Sequence, residues 1–126
     1  MKLYNILVVD DSTTNIVLLE AILEENGYKI DSAVSVKEAL QCIDKKIPDL
    51  ILLDLLMPKV SGFEFLETLR ADERTRLIPV MVISAITDED SINRILRLGA
   101  VDFIKKPIDI QYLVEQVDRT LNLSSI

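Results

Sequence analysis

The chain has 126 residues, 49% hydrophobic and 28% charged, with a formal net charge of −7. That length suits one domain with one substantial core, and 14 Lys and Arg against 21 Asp and Glu exclude nonspecific binding to nucleic-acid phosphates. With no His and with Cys42 as the only cysteine, a histidine base, zinc chemistry and an intrachain disulfide are all excluded, and a reducing cytoplasm fits best.

Short apolar runs alternate with longer helical patterns five times, the signature of a parallel sheet covered on both faces. The expected strands are Asn5–Asp10, Lys29–Ala33, Leu50–Asp54, Val80–Ser84 and Val101–Lys105. The first helix is expected over Thr14–Asn26, closed by Gly27. Ser35-Val36-Lys37-Glu38 reads as a capping box opening a second helix that runs to about Asp44. Gly62–Asp72, Asp88–Leu98 closed by Gly99, and Asp109–Leu121 complete the set. No run approaches the ~20 apolar residues of a membrane span, and the N-terminus carries no signal-type hydrophobic region. Cys42 reads as a small half-buried side chain on a helix flank, the alternative being a redox role that no adjacent basic group supports.

Asp10 and Asp11 follow the apolar run Ile6-Leu7-Val8-Val9, and Asp54 ends the run Leu50-Ile51-Leu52-Leu53. If these runs are neighbouring parallel strands, three carboxylates converge at the carboxyl edge of the sheet, where open α/β sheets bind ligands. Such a cluster repels itself unless a proton or cation neutralises it, so a divalent-metal site is the first functional expectation. Read alone, Asp10-Asp11-Ser12 would merely cap the first helix. Further motifs accompany it: Met57-Pro58 and Ser61-Gly62 after Asp54, Ser84-Ala85 at the end of the fourth strand, and Lys106-Pro107 after the fifth.

In this order and spacing the motifs resemble the receiver domain of two-component response regulators, including the single-domain chemotaxis type, over essentially the whole of residues 1–126. The resemblance implies a flavodoxin-like, doubly wound α/β fold with five helices and five parallel strands in the order 2-1-3-4-5. The receiver either stands alone or forms the N-terminal part of a longer protein. Asp54 would be the phosphoacceptor, with Asp10, Asp11, Asp54 and the backbone carbonyl of Leu56 around Mg²⁺, for which Mn²⁺ can substitute. Lys106 would present its ammonium group to the cluster and Ser84 a hydroxyl to a phosphoryl oxygen, and the bond before Pro107 would be cis. Lys106 read alone is a solvated lysine, a role the neighbouring Lys105 can fill.

Phe103 matches the family's aromatic switch position, with a core aromatic as the plainer reading. The implied partners are a sensor histidine kinase or histidine phosphotransfer protein, an output partner reading the surface of helix four, strand five and helix five, and a phosphorylation-dependent homodimer. The implied chemistry is self-catalysed phosphorylation and slow autodephosphorylation, not turnover of an external substrate. Aliphatic Leu56 and Ile86 stand where the family tunes acyl-phosphate hydrolysis, so they should shield the phosphoryl group and give a lifetime of hours rather than seconds.

Helix one carries Ile16, Val17, Leu18, Leu19, Ala21, Ile22 and Leu23, more apolar residues than one buried stripe needs, so Leu18 and its neighbours are candidates for kinase docking. Gln116 stands where winged-helix regulators of this family carry an arginine, which disfavours their charged dimer interface. Two other readings compete: a receiver-like module that only binds partners, against which the complete set of acceptor-site residues speaks, and an aspartyl phosphatase of the haloacid-dehalogenase type, whose Asp-x-Asp-x-Thr pattern Asp10-Asp11-Ser12-Thr13 does not match.

Overall fold

The computed structural model of the chain describes the backbone of residues 3–54 and 62–124, with side chains as far as 122. Strands β1 (Asn5–Val9), β2 (Lys29–Ala33), β3 (Leu50–Asp54), β4 (Val80–Ser84) and β5 (Asp102–Lys105) alternate with helices α1 (Thr13–Glu25), α2 (Val36–Lys45), α3 (Gly62–Ala71), α4 (Glu89–Arg97) and α5 (Ile110–Ser124). All pairings are parallel and the spatial order is β2-β1-β3-β4-β5, so the fold is the flavodoxin-like α/β arrangement with its topological switch between β1 and β3.

The strands β1, β3 and β4 are buried at every position, which explains their unbroken apolar sequences. Alternate side chains feed two cores. Leu7, Val9, Ile51, Leu53, Val80 and Val82 pack beneath α2, α3 and α4. Ile6, Val8, Leu50, Leu52, Met81 and Ile83 pack beneath α1 and α5, whose Leu19, Leu23, Leu113 and Val117 complete that layer. Edge strand β2 buries only Ala33, and its other positions are polar or partly exposed, which discourages pairing with another sheet.

Local chemistry fixes the element ends. Ser12, Ser35 and Asp88 cap α1, α2 and α4 by accepting the amides of Asn15, Glu38 and Ser91. The capping box on α2 closes one residue earlier than expected: Glu38 Oε1 accepts from the Val34 amide at 3.2 Å. Gly27 and Gly99, at φ +90° and +92°, turn the chain out of α1 and α4.

The boundaries depart from expectation by a few residues. β1 stops at Val9, because the Asp10 carboxylate accepts the Ser12 amide and turns the chain toward α1, which begins at Thr13. Residue Val101 donates to Val80 ahead of the ladder, so β5 begins at Asp102, and α5 continues beyond Leu121 to Ser124. Cys42 is half-buried, its thiol 4.0 Å from the Ser32 carbonyl, and burial raises its pKa, which disfavours the reactive thiolate. Among the described residues no helix is long and apolar enough to cross a membrane.

Candidate functional site

The register brings Val9 beside Leu53 and Leu53 beside Val82, so the carboxyl ends of β1, β3 and β4 finish together. Asp10 leaves β1 and Asp54 ends β3, and both are buried, at 3% and 6% exposure, while Asp11 is exposed. Each of the three offers a carboxylate oxygen, and these oxygens lie within 4.8 Å of one another. Three hard anionic oxygens at that spacing form the donor set that Mg²⁺ or Ca²⁺ takes, with room for water at the exposed side. The residues present therefore fit a divalent cation.

The supporting bonds orient Asp10. Its Oδ1 accepts the Ser12 amide at 2.9 Å, and its Oδ2 lies 3.4 Å from Nδ2 of Asn15. Burial raises the Asp10 pKa above the ordinary 3.8, and the charge of Asp54 adds to the rise, while the Ser12 amide, Lys106 and Asn15 act in the opposite sense. Lys106 Nζ stands 3.5 Å from Asp54 Oδ2, the one ammonium that the described residues bring to the cluster. Its peptide bond to Pro107 is cis, and its own amide donates to the Ser84 carbonyl at 3.0 Å. Lys105 is exposed, on the other side of the strand.

Buried Ser84 ends β4, and its Oγ accepts from the Ile86 amide at 3.2 Å, a bond that does not use the hydroxyl proton. Ile86 and Phe103 are both partly buried and pack on the α2/α3/α4 core. Phe103 also lines a depression with Lys105, Pro107, Asp109 and Tyr112. The Leu56 carbonyl and side chain, Met57-Pro58 and Ser61 lie outside the described residues.

Alongside the acidic cluster runs a mainly apolar groove of about 320 Å³ between α1 and the β5–α5 connection, floored by Leu18, Leu19, Ile22 and Ile108 and reaching Lys106. Val17 and Leu18 are 64% and 48% exposed, so α1 does present aliphatic side chains to solvent. Asn15 was not singled out from the sequence. Its position three residues beyond Ser12, on the first turn of α1, is the signal that places it over Asp10.

A flavodoxin-like sheet with three aspartates and a lysine at its carboxyl edge defines a receiver-type acidic pocket, and the chain belongs to the response regulator receiver domain family, whose model matches residues 6–118. It is 41% identical over 112 residues to the response regulator PleD of Caulobacter vibrioides, covering 89% of this chain but only 25% of PleD, so it spans about a quarter of that relative. It is 34% identical over 113 residues to the polar-differentiation response regulator DivK of Brucella ovis, covering 90% of this chain and 92% of DivK. Among solved structures, the signal receiver domain of a signal transduction histidine kinase from Syntrophus aciditrophicus superposes with a TM-score of 0.86 at 36% identity, covering 94% of this chain and 90% of that one.

Proposed function

We propose that the protein is a phosphoacceptor in a two-component phosphorelay, with Asp54 the residue that takes the phosphoryl group. The observation that carries this reading is the convergence of Asp10, Asp11 and Asp54, with Lys106 3.5 Å from Asp54. Asp54 ends the central strand at the carboxyl edge of the sheet, where its carboxylate is the proposed nucleophile for in-line attack on phosphorus. A carboxylate oxygen of Asp54 forms the new P–O bond as the donor's bond to phosphorus breaks, giving an acyl phosphate. Asp10, Asp11 and Asp54, with the Leu56 carbonyl, are the proposed Mg²⁺ ligands. Mg²⁺ bound there supplies positive charge that offsets the phosphoryl oxygens during transfer. Lys106 holds a second positive charge at the acceptor, and Ser84 donates its hydroxyl proton to a phosphoryl oxygen.

The donor is a histidine kinase or histidine phosphotransfer protein, docking on the apolar groove along α1 so that its phosphohistidine meets Asp54. Drawing Ser84 toward the phosphoryl group vacates space that Phe103 fills, and since Phe has no hydroxyl the switch rests on packing. The surface of α4, β5 and α5 carries the result to an output partner or domain, or to a second copy of the chain. A cytoplasmic location accords with such partners. Ile86 shields the acyl phosphate from water, so self-dephosphorylation takes hours, and a half-life of seconds in the isolated protein would overturn this shielding.

Intact-mass analysis after incubation with acetyl phosphate tests the reading. A phosphate-sized gain that requires both Mg²⁺ and Asp54, and is lost in Asp54→Ala, is the expected result. No gain in folded protein from acetyl phosphate or from phosphohistidine donors would overturn it in favour of a module that only binds partners.

A further inference from the structure

Helix α4 buries only Ile95, yet it is gripped from α3 at two points, near its middle and just past its C-terminal end. Near its middle, the Arg94 guanidinium lies 4.3 Å from the ring centroid of Phe63, in the first turn of α3, and 3.2 Å from Glu67 one turn further along. Where α4 gives way to β5, Arg70 of α3 donates Nε–H to the Leu98 carbonyl at 3.2 Å and Nη2–H to Gly99 at 3.1 Å. Its Nη1 donates to the carbonyls of Arg76 and Ile78 at 2.8 and 2.9 Å, fixing the chain before β4 as well. The seat is built for this arginine: a Cβ on Gly99 would meet Arg70 Nε at 2.8 Å.

From this we infer that Arg70 and Arg94 form a two-point clamp through which α3 sets the position of α4, and that the clamp opposes occupancy of the acceptor site. The second half rests on the receiver reading. Ser84 is tied to the turn leading into α4 by its bond with the Ile86 amide, and Asp88 caps that helix two residues on. Pulling the Ser84 hydroxyl toward Asp54 therefore drags the start of α4, against the hold of Arg94 and Arg70. Arg70 and Arg94 are thus positioning residues. By reciprocity, loosening the clamp strengthens binding of an anion at Asp54 by the same factor that occupancy loosens the clamp.

The test combines peptide-resolved hydrogen exchange with titration by beryllofluoride, an acyl-phosphate mimic, in Mg²⁺, on wild type, Arg94→Ala, Arg94→Lys and Arg70→Gln. In Arg94→Ala the α4 amides should exchange about tenfold faster while those of α1 and α5 keep their rates. Beryllofluoride affinity should rise about fivefold in both Arg94→Ala and Arg70→Gln. Arg94→Lys, which keeps a cation for Phe63 and Glu67, should retain most of the wild-type exchange and affinity. Unchanged α4 exchange in both variants, or faster α4 exchange with wild-type affinity, would overturn the clamp as a regulator. Failure of wild type itself to bind beryllofluoride would overturn the receiver reading, and the regulatory role would fall with it.

Discussion

Helices α1 and α4 occupy opposite faces of the sheet and are held by opposite means. α1 has no acidic residue in its first turn and no basic residue in its last, and it stays in place by burying Ile16, Leu19 and Leu23. α4 begins at the Asp88 cap with Glu89 and Asp90, ends with Arg94 and Arg97, and buries only Ile95. Its charges complement the helix dipole, so α4 is a sound helix on its own terms with a light hold on the core. A helix anchored by apolar area is expensive to move, whereas one anchored by a few polar contacts can shift as a unit. The proposed switch needs a fixed docking helix beside the acceptor and a movable reporting helix, and the two sequences supply these separately.

The largest effect should come from cutting the anchor of α1. Leu19→Ala removes a side chain at 1% exposure, and the cavity should cost 2–5 kcal/mol of global stability, roughly, measured as a lowered urea midpoint with unchanged slope. A loss below about 1 kcal/mol would show that α1 is as lightly held as α4.

The acidic cluster itself comes next. Asp10→Asn keeps an acceptor for the Ser12 amide but removes one of three crowded charges, so metal-free protein should gain about 1–2 kcal/mol while losing most of its thermal stabilisation by Mg²⁺. The sign of the pH dependence follows from the raised Asp10 pKa. The folded protein binds this proton more tightly than the unfolded chain, so the contribution is present below the ordinary value of 3.8 and is lost as pH rises through the raised value. Wild type should therefore lose stability relative to Asp10→Asn over that interval, and Mg²⁺ should close the gap. A difference between the two proteins that does not vary with pH would contradict it.

For α4, Asp88→Ala removes the bond to the Ser91 amide and should cost about 1 kcal/mol, seen as faster exchange confined to the start of the helix. The smallest stability effect belongs to Leu18→Ser, within about 0.5 kcal/mol of wild type because the side chain is 48% exposed. Its phosphotransfer rate from a cognate kinase should nevertheless drop several-fold, with acetyl phosphate reactivity unchanged. A transfer rate from the kinase equal to that of wild type would remove α1 from the docking surface.

The five strands and the convergence of Asp10, Asp11 and Asp54 were legible in the sequence, because apolar runs ending in carboxylates report on burial and on sheet edges together, while the strand order came from the family resemblance. Element ends were less so: β1 stops at Val9 because of a side-chain bond from Asp10 that no periodicity reveals. Asn15, Arg70 and Arg94 were not singled out for a related reason. A polar residue on a helix looks solvated until tertiary structure puts a carboxylate, a ring or a set of carbonyls in front of it. Arg70 and the Leu98 carbonyl are 28 residues apart, and nothing local couples them.

The most direct measurement of the central claim is chemical mapping of the phosphorylated residue. After phosphorylation in Mg²⁺, borohydride reduces an acyl phosphate to an alcohol, so the modified aspartate becomes homoserine and peptide sequencing by mass spectrometry locates it. The account predicts homoserine at position 54 alone. Homoserine at position 10 or 11, or a phosphate stable to borohydride on a serine or threonine, would contradict it.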